Sequence, residues 1–164
     1  MEHKHLPNRY PYWCPYCHKV IGERATDVSF LIPARCEPYL EQTILNVLSN
    51  IRGNSEVLVY LDGWVPEKQI VIHDQRVRFY HGERAIGQRA AINYLAREAT
   101  GKYVCKLDAH CAIDEGFDLK MMADCEPDWT VIPRMYNLDY QTFKPKLIHD
   151  FTHAVRMGKL HDYI

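Results

Sequence analysis

The chain has 164 residues, 47% of them apolar and 25% charged, with a formal net charge of −1. That is enough for one folded domain with its own core, and the near-zero charge gives no electrostatic reason to expect nucleic acid or an anionic membrane as partner. No apolar run approaches the ~20 residues of a membrane span, and the polar start Met1-Glu2-His3-Lys4-His5 lacks the apolar core of a signal peptide. A cytoplasmic location is therefore expected, with the six cysteines reduced.

Residues 1–26 stand apart. They are rich in His, Pro and aromatic residues, show no helical or strand period, and hold Cys14-Pro15-Tyr16-Cys17. So few aliphatic residues cannot build a core, so an external staple is expected. Two thiolates at this spacing supply half of a tetrahedral Zn²⁺ site. A metal-knuckle-like appendage over 1–26 is the favoured reading, with His3, His5 or His18 as further ligand candidates. The same tetrapeptide also suits a thiol-redox pair, but no strand leads into it and Gly22 follows too soon for the helix such a pair requires.

From residue 27 the pattern changes. Asp27 to Pro33 is a short β-branched and apolar run, as in a strand buried on both faces, and Pro33 is expected to stop it. Tyr39 to Ile51 carries Leu40, Ile44, Leu45, Val47, Leu48 and Ile51 on one helical face and ends near Asn50 and Gly53. Glu56 to Asp62 is a second buried strand; Ile70-Val71-Ile72 fits either a brief strand or a helix end; Arg76 to Tyr80 alternates as a third strand. Gln88 to Thr100 is a helix stopped by Gly101, and Lys102 to Leu107 is a strand leading to Asp108-Ala109-His110. Gly116 to Cys125 reads as a helix, Trp129 to Met135 as a strand, and the last thirty or so residues as weakly periodic apart from a helix after Pro145. Strands alternating with helices predict a Rossmann-like α/β sheet, mostly parallel and flanked by helices, over 27–164. Ligands of such sheets bind beyond the carboxyl ends of the strands. Pro33 to Glu37, Asp62-Gly63 and Asp108 to His110 all follow strand ends, which places them at one site.

Each piece has a chemistry. Asp108 and His110, two apart in an extended segment, point to the same side. A carboxylate with an imidazole suits Mn²⁺, while Mg²⁺ prefers oxygen alone; a cation there would neutralise a diphosphate. Asp62 can accept from the N–H of a base, and Arg89, at a helix start, can donate to a phosphate or base. Arg35 and Glu37 can meet a ribose or diphosphate. Each also has an ordinary reading: an Asp-Gly turn, a solvated Arg, an exposed ion pair.

The order of these motifs resembles a known family. Val28 to Leu40, Glu56 to Gly63, Gly87 to Asn93 and Thr100 to Cys111 look like the opening strand and loop, the second strand, the helix entry and the metal-binding strand of family-2 type glycosyltransferases with the GT-A fold. Asp-x-His in place of Asp-x-Asp is similar to the polypeptide N-acetylgalactosaminyltransferases. The resemblance implies a UDP-sugar donor, with Asp62 and Arg89 on the uridine, Pro33, Ala34, Arg35 and Glu37 lining the nucleotide, and Asp108 with His110 holding Mn²⁺ or Mg²⁺. Cys36 stands where the family usually has Asn or a similar polar residue, and Trp64 where a small polar one is usual. The acceptor half reads as short. Asp139, Asp150 and Asp162 are general-base candidates without a motif, and His149 or His153 would be a third metal ligand if sugar configuration is retained. A nucleotide-sugar-binding module without catalysis is the alternative.

Overall fold

The computed structural model describes residues 12–13, 20–21, 26–126 and 128–146. The chain divides into two compact units, Met1–Glu37 with Asn54–Ala109, and Pro38–Gly53 with His110–Ile164.

In the first unit, two-residue strands β1 (Tyr12–Trp13) and β2 (Val20–Ile21) pair antiparallel. The main sheet has four strands: β3 (Thr26–Ala34), β4 (Ser55–Asp62), β5 (Val77–Gly82) and β6 (Gly101–Lys106). All neighbours are parallel, in the order β5-β4-β3-β6. The chain thus steps outward from β3 to β5 and then returns to the far side of β3. β4 is buried at every position, as its unbroken apolar run predicts. On one face, Leu31, Leu58 and Tyr60 pack against Ala91, Leu95 and Ala99 of the segment that holds helix α2 (Gln88–Glu98). Tyr94 of α2 adds ring contacts with Tyr60 and Tyr80, at centroid distances of 5.1 and 5.4 Å. Phe30, Ile32, Val57 and Val59, which alternate with that set, are also fully buried.

Near the starts of the strands lies a buried polar cluster. Glu56, 6% exposed, accepts hydrogen bonds from the Ser29 hydroxyl (2.6 Å), the Thr100 amide (2.7 Å) and the Thr100 hydroxyl (2.9 Å). Its second oxygen pairs with Arg78 at 2.6 Å, and Arg78 also donates to the carbonyl of Glu98. Ser29 in turn accepts from the Gly101 amide at 2.8 Å. A Cβ on Gly101 would lie 2.5 Å from the Ser29 nitrogen, so only glycine allows this approach.

The second unit holds α1 (Leu40–Asn50) and α3 (Phe117–Ala123). Asp118, fully buried, accepts from the amides of Arg52 and Gly53, and Asn46 accepts from the amide of Ile113. These bonds tie the end of α1 to the start of α3. A hairpin of β7 (Asn137–Asp139) and β8 (Lys144–Lys146) follows.

Three expectations change. β3 runs on to Ala34 through Pro33 rather than stopping there. Residues 70–72 are irregular, inside a crossover from β4 to β5 that contains no helix. Trp129 to Met135 forms no strand. Pro133 would remove a ladder donor there, and Met135 is 72% exposed, so the run has no buried face to reward pairing. The helix expected after Pro145 lies outside the described residues, apart from Lys146, which belongs to β8.

Burial pushes the Glu56 carboxyl up, but the hydrogen bonds from Ser29 and Thr100 and the Arg78 charge outweigh it and hold the group below its ordinary 4.5. Its contribution to stability is therefore present above pH 4.5 and is lost as the pH falls through the lower folded value. Glu56→Gln is expected to cost about 3 kcal/mol near neutral pH, because it leaves Arg78 without its anion and sets an amide N–H against buried donors. Urea melts of both proteins from pH 7 to 3 would check this, the gap narrowing toward the acid end.

Candidate functional site

The carboxyl edge of the sheet in the first unit is opened by a difference in strand length. β3 pairs with β4 as far as Ala34↔Leu61, but with β6 only as far as Leu31↔Lys106. One more bond, from the Leu107 amide to the Leu31 carbonyl at 3.0 Å, closes that ladder. The last residues of β3 then face a notch on the β6 side. Backbone groups of alternate residues point to the same neighbour, so Pro33 faces the side that Leu31 faces. Its missing N–H costs nothing there because β6 has already turned away. This notch is also the switch point of the sheet, where ligands of open parallel sheets bind.

The residues expected to line a nucleotide continue from it. Ala34 is buried, Pro33 and Glu37 are half-buried, and Arg35 is exposed. Cys36 has φ of 56°. This left-handed conformation is one that Asn tolerates better than most residues. The polar residue usual at this position in the resembled family thus has a backbone reason.

Asp62, at the end of β4, is 4% exposed. Its Oδ1 accepts from the amide of Ile86 at 2.6 Å and its Oδ2 from the amide of Gly87 at 3.0 Å. The Asp-Gly sequence is therefore a clamp as well as a turn. Gly63 has φ of 61°, and a Cβ there would sit 2.2 Å from the Ala85 nitrogen. The loop before α2 is held against the end of β4 from both positions. α2 starts from Gly87 with no side-chain cap, and an open hollow of about 450 Å³ lies over its first turn, lined by Ile86 to Ala90 and Asn93. Arg89 is exposed on that hollow, beside the positive end of the helix.

Asp108 follows β6 by two residues and is half-buried. Its Oδ1 accepts from Gln88 Nε2 at 3.2 Å and is paired with the Lys106 ammonium. Asp108 thereby joins the first turn of α2. Gln88 and Lys106 were not singled out from sequence. The signals were present: Lys106 lies two residues before Asp108 on the same side of an extended segment, and Gln88 opens the helix after Gly87.

The unit boundary falls between Ala109 and His110, so His110, half-buried, belongs to the second unit. Among the described residues no three His, Cys, Asp or Glu side chains gather as a metal site. The donor chemistry still suits a divalent cation of the Mg²⁺ or Mn²⁺ kind, which takes one or two protein groups and completes its shell with phosphate oxygens and water. Asp108 offers a partly exposed carboxylate whose Oδ2 is engaged by neither Gln88 nor Lys106. In the second unit, Asp139 accepts from the amides of Gln141 (2.9 Å) and Thr142 (3.4 Å). These bonds hold its carboxyl below the usual range, the Gln141 amide first among them, which suits a turn holder more than a proton acceptor. Cys14, Cys17, His3, His5, His18, His149, His153, Asp150 and Asp162 lie outside the described residues. The strands on either side of the Cys14–Cys17 segment pair as Trp13↔Val20 and Tyr12↔Ile21.

The family model described as glycosyl transferase family 2 matches residues 29–162. A comparison with curated proteins finds no match.

The clamp has a direct readout. Asp62→Ala is expected to speed amide exchange at Ile86 and Gly87 by roughly 10- to 100-fold, as about 1–3 kcal/mol of buried hydrogen bonding is lost. Amides of β3 should keep their protection in the same hydrogen-exchange experiment.

Proposed function

Because the chain belongs to glycosyl transferase family 2, we propose that it transfers a sugar from a UDP-sugar, with Mn²⁺ or Mg²⁺ on the diphosphate. Family membership makes it a glycosyltransferase, acting on a nucleotide-sugar donor and an acceptor, and the four parallel strands with three helices fit the α/β GT-A fold. The finer reading is supported by one observation: β6 stops pairing with β3 at Leu31, before β3 ends at Ala34, so Asp108 and Pro33 to Glu37 follow the carboxyl ends of two neighbouring strands. In this reading Pro33, Ala34, Arg35 and Glu37 line the nucleotide. Asp62 keeps a second lone pair on each oxygen, so it accepts from the uracil N–H while still holding the loop. Arg89 adds its charge at the helix start, where an anion is already favoured.

In this reading Asp108 and His110 would hold the cation, whose charge would offset that of the departing diphosphate. The acceptor's nucleophile forms its bond to the anomeric carbon as the bond from that carbon to the diphosphate oxygen breaks. UDP departs with the electron pair, and the acceptor proton passes to a base. Calorimetry with UDP tests the reading: Mn²⁺ should strengthen binding, and Asp108→Ala should abolish that dependence. Absence of UDP binding, or binding by Asp108→Ala that responds to Mn²⁺ as wild type does, would overturn it.

The reading extends to the N-terminal segment as a zinc knuckle held by Cys14 and Cys17. The pairing of β1 with β2, which brings the two ends of that segment together, supports it. Protein purified under reducing conditions should carry roughly one zinc per chain, lost in Cys14→Ser. Metal analysis showing no zinc in the wild type rejects it. A cytoplasmic location is part of the same reading, since cysteines stay reduced there. Among the described residues no helix is long and apolar enough to cross a membrane.

A further inference from the structure

We propose that Gln88 is a positioning residue for Asp108: its side-chain amide turns the carboxylate so that Oδ2 faces the cation. The inference rests on the donor-site reading above and adds a residue which that reading does not use.

The first observation is that Gln88 Nε2 and the Lys106 ammonium both engage the same oxygen, Oδ1 of Asp108. A carboxylate held through one oxygen presents the other. The two donors differ in what happens when a cation arrives. An ammonium repels a divalent ion and is displaced by it. A neutral amide carries no net charge, so it keeps its bond to Oδ1 while Oδ2 is coordinated. The amide is thus the partner able to orient Asp108 in the loaded site, in the way that outer partners commonly orient metal ligands.

The second observation is that the backbone beneath Gln88 is pinned. Gly87 donates its N–H to Asp62 Oδ2 and accepts from the Ala91 amide at 3.0 Å, so it is tied on both sides. Ile86 is held by the other oxygen of Asp62, and the absence of a side chain at Gly63 lets the preceding loop lie close against it at Ala85. A free glutamine loses side-chain entropy when it is fixed. A side chain leaving a fixed backbone, one residue past the clamp, starts from fewer arrangements. Asp62, Gly87, Gln88 and Asp108 thus form one chain of contacts, running from the end of β4 to the end of β6.

The test is Mn²⁺ binding to the UDP complex, followed by calorimetry and by the electron paramagnetic resonance of free Mn²⁺. Gln88→Ala should weaken Mn²⁺ about 10- to 100-fold. UDP binding in a chelator should stay at the wild-type value, and so should the melting temperature, because Gln88 is exposed. This split is one that a general loosening of the fold would not produce. If Asp108→Ala abolishes the Mn²⁺ dependence while Gln88→Ala binds Mn²⁺ as wild type does, the positioning role is overturned and the donor site stands. If Asp108→Ala itself binds Mn²⁺ and UDP like wild type, both fall. If Gln88→Ala weakens UDP equally with and without metal, Gln88 is a nucleotide contact and the positioning role is again overturned.

Discussion

One carboxylate, Glu56, joins elements that are far apart in the chain. Its partners Ser29, Arg78 and Thr100 come from β3, β5 and the turn into β6, and Arg78 reaches on to the last residue of α2. A charge this deep is costly unless it is paired and hydrogen-bonded. Here two hydroxyls and an amide meet one oxygen and the Arg78 guanidinium meets the other, and that requirement fixes where each strand begins relative to its neighbours. Parallel strands have no tight hairpin turn to set their register. The Glu56 cluster supplies that alignment at the amino edge, and Gly101 is glycine because β6 must start against Ser29 for the cluster to close.

With one edge fixed, the strands differ at the other. β4 and β5 stay paired to Asp62↔Gly82, while β6 leaves at Lys106. The structure thus separates two tasks along the strand axis. Polar groups near the strand starts are consumed in holding the sheet together. Those at the strand ends, Asp62 and Asp108, bind loop amides and side chains through bonds that leave oxygen lone pairs over. Local order there comes from a backbone clamp, which constrains the loop without filling the notch.

Much of this was readable from the sequence. Apolar runs marked β3 and β4 because a strand buried on both faces needs them, a mostly apolar run marked β6, in which only Gly101 is buried, and the 3.6-residue period marked α1 and α2 because each buries one face. The placement of Asp62 and Asp108 at strand ends followed from where those runs stop. What could not be read depends on distance along the chain. Glu56 sits in a run that reads as core, and its partners Ser29 and Thr100 lie 27 and 44 residues away. The role of Asp62 as a clamp needs Ile86 and Gly87, 24 and 25 residues on. Trp129 to Met135 misled because β-forming residues mark a strand only if a sheet edge is there to receive them.

Pro33 carries a further consequence. Near its end β3 loses β6 as a hydrogen-bonding neighbour, and an unpaired strand edge is the kind that recruits a passing extended peptide. Strand addition needs donors and acceptors in alternation, and proline offers a carbonyl with no N–H. The notch therefore cannot act as a template for another chain, though its carbonyl can still accept from a small molecule. One residue in a central strand thus removes a donor that strand addition would need while keeping a carbonyl acceptor.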